Sequence, residues 1–290
     1  MRALSRGAFL GAAVLIAAIG IAHADDAYNL PAVGAQLTYR LMSTTKLSDQ
    51  TITAGQVYTY TITAVSGATS EGTIRPVALL YGCSDGDTRK DCVVAGKISG
   101  AKRDGDLLTI PVPDDIADAL VKQSGYKGRY FLVEDRTFPM PGPKNSDDPN
   151  NAEFADTPLF ILSNQLKCDF ATLPSFFPLG KTPELTLSCH NIFSRTHSRV
   201  AGQTDQTVEE PISVTLSSIG ADKKSLPSGE WDVEKVAIKY VPDDPARPSA
   251  EGESDVAVKL GVTVMSHSLV VNKATNLTAE STSELIAYKP

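Results

Sequence analysis

Few residues in this chain are equipped for chemistry. Of its four histidines, His23 falls in a leader segment taken up below, which leaves His190, His197 and His267 as general-base candidates. His190 and His197 lie in the run Cys189-His190-Asn191-Ile192-Phe193-Ser194-Arg195-Thr196-His197. Their odd separation sets them on opposite faces of a strand, where they cannot share a site, whereas bent backbone would bring them together. An extracytoplasmic hydrolase using His190 or His197 with distant acids is therefore one reading. His267, beside Met265 and Ser266, reads as a turn residue between strand signals. There is no G-x-S-x-G nucleophile elbow, no phosphate loop and no G-x-G-x-x-G dinucleotide fingerprint. No residue is assigned a catalytic, cofactor-binding or metal-binding role.

The acids and thiols have structural readings that outweigh chemical ones. Asp85-Gly86-Asp87 and Asp104-Gly105-Asp106 each set two carboxylates around a flexible residue, as calcium loops do, but neither continues into the twelve-residue ligand series, and Asp-Gly is a common hairpin turn. Asp147-Asp148-Pro149 and Asp243-Asp244-Pro245 are likewise read as turn chemistry. Asp114, Asp115 and Asp118 read as a helix cap and a solvated face. The four cysteines, Cys83, Cys92, Cys168 and Cys189, imply two disulfides in an oxidising compartment. Three connectivities are open, and proximity favours Cys83 with Cys92 and Cys168 with Cys189. A metal site from Cys168, Cys189, His190 and His197 would match no standard zinc spacing. Trp231, Tyr58 and Tyr60 read as core rather than as a ligand platform.

The elements that must position these residues are mostly strands. The dominant period is two, in Leu37-Tyr39-Leu41, Tyr58-Tyr60-Ile62, Ile212-Val214-Leu216, Val236-Ile238-Tyr240 and Val256 through Val264. Ser66-Gly67 marks a hairpin before a strand from Thr69 to Leu80. One short helix is expected near 114–124, with Ile116, Ala119 and Leu120 as its apolar stripe and Gly125 to end it. Phe138 to Asp156 reads as a loop or linker, and Pro242 to Asp255 as an exposed excursion. The expected architecture is mainly β, two curved antiparallel sheets forming half-barrel or sandwich-like units. The expected organisation is a leader (1–24), an N-terminal β unit (25–140), a linker or long loop (141–156) and a C-terminal β unit (157–290). Leu30-Pro31-Ala32-Val33-Gly34 and Phe177-Pro178-Leu179-Gly180 resemble each other and hint that the two units are related.

Arg2 and Arg6, the apolar stretch Ala8 to Ile21 and the A-x-A site Ala22-His23-Ala24 form a signal peptide cleaved before Asp25. Losing two arginines and no acid takes the net charge from −7 to −9. That balance argues against nucleic acid and anionic membrane surfaces as partners.

Phe177-Pro178-Leu179-Gly180, Gly229-Glu230-Trp231 leading into Val233 to Val241, Lys259 to Val264 and Ser283 to Tyr288 resemble a broad group of exported bacterial proteins of unknown function. Their antiparallel sheet curves into an open half-barrel akin to the periplasmic lipoprotein carriers. That resemblance implies a concave apolar face for a lipid or a partner's tail. The sequence thus points to an exported periplasmic protein, disulfide-bonded and without a cofactor, that binds a hydrophobic small molecule or an envelope protein. A purely structural interaction module is the remaining alternative.

Overall fold

The computed structural model describes residues 30–47, 50–66, 69–123, 126–129, 133–140, 160–168, 184–197, 206–244, 247–272 and 276–290. The expected leader, the Asp147-Asp148-Pro149 tract and the segment Phe177 to Gly180 lie outside them. Outside Val256 to Val264, the alternating segments are strands. The N-terminal half runs β1 (Gln36–Leu47), β2 (Gln50–Ser66), β3 (Thr69–Gly82), α1 (Lys90–Gly96), β4 (Lys102–Asp104), β5 (Leu107–Pro111), α2 (Asp114–Gln123), β6 (Tyr126–Arg129) and β7 (Val133–Met140). The C-terminal half runs β8 (Phe160–Cys168), β9 (Glu184–His197), β10 (Gln206–Leu226), β11 (Gly229–Pro242), β12 (Ser249–Ala257), β13 (Thr263–Asn272) and β14 (Leu277–Lys289). None of the described helices is long and apolar enough to cross a membrane.

The protein is mainly β and antiparallel as expected, but all fourteen of the described strands belong to one sheet. The two halves are joined edge to edge twice. β1 pairs with β14 from Gln36↔Lys289 to Leu47↔Leu277, and β7 pairs with β8 from Glu134↔Leu166 to Met140↔Phe160. Local periodicity reveals a strand, not its distant neighbour, so these joins could not be read in advance. β3 is paired along both edges, with β2 on one side and with β6 and β5 on the other. Among the described strands only β4 is hydrogen-bonded along a single edge. It is three residues long, exposed and charged, the usual way of blunting an edge against further pairing.

In β9, Leu185, Leu187 and Cys189 are buried while Glu184, Thr186, Ser188 and His190 face solvent. β14 alternates likewise through Ala279, Ser281, Ser283 and Leu285. One core cluster among the described residues joins Leu37, Tyr39 and Leu41 of β1, Tyr58 and Ile62 of β2, Val233, Val264 and Leu285. Within it Tyr39 stacks on Tyr58 at 5.6 Å and donates its hydroxyl to the Thr263 carbonyl at 3.0 Å. A buried phenol needs such a partner to offset its desolvation.

Four local readings are corrected. Val256 to Val264 is not one strand: β12 ends at Ala257, the chain turns with Gly261 at φ +61°, and β13 begins at Thr263. Ala257 N–H closes that turn on the Val262 carbonyl at 2.8 Å, leaving Val258 outside the core at 41% exposure. Apolar alternation continued through the turn and masked it. His267 lies within β13, not in a turn. The excursion after Pro242 is shorter than read, because Ser249 to Asp255 is strand. The one helix expected is joined by a second, α1, whose seven residues are too few to show a helical period.

Gly55 of β2 faces Met42 of β1, where a Cβ would come 2.1 Å from the Leu41 carbonyl oxygen and 2.8 Å from Met42 Sδ. The close neighbour is backbone and cannot yield cheaply, so Gly55→Ala is expected to lower stability by about 1–3 kcal/mol. Gly96→Ala, with nothing within 4 Å, is expected to be neutral or stabilising by up to about 1 kcal/mol. Thermal unfolding of the two variants side by side checks both.

Candidate functional site

Among the described residues, several polar side chains gather at the corner where β3 ends, α1 begins and the β4–β5 hairpin turns. Both Asp-Gly-Asp motifs are brought to it. Cys83 N–H donates to the Asp106 carbonyl at 2.8 Å, tying the first motif's loop to the second motif's turn. Gly86 and Gly105 take φ of +78° and +55°, which explains a glycine between each pair of acids. Two arginines that no motif marks organise the carboxylates. Arg103 donates to the Cys83 carbonyl and reaches Asp85 Oδ1 at 3.3 Å. Arg89 clasps Asp87, with Nε at 3.1 and 3.0 Å from the two carboxylate oxygens, and donates to the Gly82 carbonyl. Its hydrogen bonds hold the Asp87 carboxyl below the usual carboxylate range. Repetition of the Asp-Gly-Asp motif was the one signal that could have flagged this corner.

Beside these groups lies a cleft of about 460 Å³ lined by Ser84, Asp87, Arg89, Asp104 and Asp106 among others. Beneath it Cys83 and Cys92 form a disulfide, as proximity suggested. Ligand atoms of Cys83, Asp87 and Cys92 converge within 4.8 Å, but the two sulfurs are bonded to each other and offer no thiolate to a metal.

The other candidates are dispersed. His190 is exposed on β9, with Nδ1 3.3 Å from Glu209 Oε1, and neighbouring Cys189 is buried and disulfide-bonded. Consecutive strand residues point to opposite faces, so Cys189 and His190 do not converge on one ion. The register sets Cys189 opposite Cys168, and His197 opposite Phe160. β9 runs from His190 to His197 without a register shift. His267 Nε2 lies 2.8 Å from Glu280 Oε1, again between exposed residues. These are cross-strand surface pairs of small energetic weight. Asp114 and Asp118 are met by Arg75 at 2.8 and 3.3 Å, which ties α2 to β3, and Asp244 lies near Arg247 at 3.8 Å. Tyr58 is core. Trp231 is half-buried, donating Nε1–H to Ser228 and meeting Tyr288 edge-on at 5.9 Å.

One further cluster is buried. Asp255, 7% exposed, sits at the bulge where the β12–β13 register shifts, and its Oδ2 receives Lys224 Nζ at 3.2 Å. Burial pushes the Asp255 carboxyl up, outweighing Lys224. Burial alone would lower Lys224, but the hydrogen bond and charge of Asp255, with Asp222, hold it above the usual ammonium range.

No protein-family model and no curated protein matches the chain. Three solved structures are similar in fold. The hypothetical lipoprotein YmcC from Escherichia coli K12 is 10% identical, with 87% of this chain and 84% of that one covered and a TM-score of 0.34. A proposed lipoprotein from Parabacteroides distasonis is 10% identical, covering 91% and 99% with a TM-score of 0.35. A proposed exported protein with a YmcC-like fold from Bacteroides fragilis is 12% identical, covering 91% and 100% with a TM-score of 0.36.

Proposed function

We propose that this is an exported, non-catalytic protein that works through surface contact with an envelope partner and carries no hydrophobic small molecule. The observation behind this reading is that the apolar face is filled by its own side chains. Leu37, Tyr39, Tyr58, Val264 and Leu285 pack against one another among the described residues, with Tyr39 and Tyr58 stacked at 5.6 Å. The exposed setting of His190 and His267, each beside an exposed glutamate, favours binding over hydrolysis. Export, cleavage before Asp25 and pairing of Cys168 with Cys189 belong to the same reading. Native mass spectrometry of protein recovered from the exported fraction tests it. The expected species is residues 25–290 less four hydrogens, with nothing bound. A retained lipid mass would overturn the reading.

A further inference from the structure

We infer that the Cys83–Cys92 bond is a redox latch: reduction by a dithiol releases α1 and uncovers the apolar floor beneath it while the main sheet stays folded. α1 has little else to hold it. Seven residues are too few for a helix to persist unaided in water, Arg89 at its N-cap makes no side-chain capping bond, and of its described side chains only Cys92 and Ala95 are buried. The floor is Leu108 and Ile110, with Leu79 and Tyr81 at its margin, a cluster separate from the main core. It can therefore be exposed without opening the β1–β14 side of the sheet. The bond also has a defined polarity. Arg89 Nη2 donates to Cys92 Sγ at 3.1 Å, so a guanidinium faces the sulfur that must carry charge when the bond breaks. Asp87 Oδ2 lies 3.5 Å from the same sulfur, but it is engaged by Arg89.

The two sulfurs belong to residues only 1% and 2% exposed, so attack follows brief lifting of α1 on the side of the cleft. A thiolate of the reductant bonds to Cys83 Sγ, the S–S bond breaks, and its electron pair leaves on Cys92 Sγ opposite Arg89. The reductant's second thiol, giving its proton to solvent, then displaces Cys83 as a thiolate. The protein gains two electrons and the reductant ends as a disulfide.

The test is native-state treatment of the full chain with dithiothreitol, followed by alkylation mapping and amide hydrogen exchange. Cys83 and Cys92 should alkylate before Cys189. Once they have, amides of 92–98 should exchange at least tenfold faster while those of β13 and β14 stay within about twofold. Simultaneous loss of protection in α1 and β14, or unchanged α1 protection after the bond is open, overturns the latch. Cys83→Ala/Cys92→Ala should reproduce the reduced pattern without reductant, and failure of that variant to fold also overturns it. Arg89→Gln should slow reduction at least threefold. Faster reduction would mean that Arg89 merely clamps α1, and would overturn the assignment of Cys92 as leaving group.

Discussion

Leu285→Ala is expected to lower stability by about 3 kcal/mol, read as a shift in urea midpoint at unchanged slope with disulfides intact. Leu285 has no exposed surface, lies opposite Tyr39 across the β1–β14 pairing and belongs to the core cluster around Leu37, Tyr39 and Tyr58. Truncation removes its transfer free energy and leaves a cavity that a sheet held by neighbours on both edges cannot easily collapse. The informative contrast is Val258→Ala, expected within about 0.5 kcal/mol because Val258 sits on the turn after β12. Val264→Ala should be costly, like Leu285→Ala, since Val264 is fully buried. If Val256 to Val264 were one strand, as its alternation suggests, Val258 and Val264 would share a face and their truncations would cost alike. Equal losses at the two valines would therefore reject the observed turn.

That contrast shows where the sequence was legible. The described parts of β9 and β14 follow alternation, because a one-residue slip would turn a buried row outward. The α2 helix was marked by Asp114 and Asp115 at its start, and the Cys83–Cys92 bond by proximity. The Val258 turn was hidden because its apolar residues continue the period while Gly261 alone carries the backbone reversal. Joining both halves into one sheet depends on pairings such as Gln36↔Lys289, some 250 residues apart, which no local window contains. The polar corner was half-visible. The two Asp-Gly-Asp motifs stood out as turns, but Arg89 and Arg103, which knit them together, are arginines like any others until the loops are folded.

The buried pair of Lys224 and Asp255 should respond asymmetrically to loss of its partners. Lys224→Ala is expected to cost about 2–3 kcal/mol at neutral pH, because it strands a carboxylate that is 93% covered and whose Oδ1 already has no hydrogen-bond partner. Lys235 remains as a more distant cation, and Lys224 is itself a quarter exposed, which keeps the loss below that of a fully buried pair. Asp255→Asn is expected to cost less than about 1 kcal/mol, since the buried charge goes with it and Lys224 keeps Asp222 at 3.6 Å. The two variants must also differ in pH dependence. The folded-state pKa of Asp255 lies above its unfolded value, so the folded protein binds the extra proton and stability at this site falls as pH rises through that window. Removing Lys224 takes away the group that holds the carboxyl down and widens the window upward. The deficit of Lys224→Ala relative to the parent should thus shrink as pH is lowered toward the ordinary carboxylate range, while that of Asp255→Asn should not. The raised Lys224 pKa adds stability that is complete below the ordinary ammonium range and lost only above it, outside this window. Chemical denaturation of the three proteins across mildly acidic to neutral pH separates these outcomes, and a Lys224→Ala deficit that stays constant or grows on acidification would show that Asp255 is not the charge being stranded.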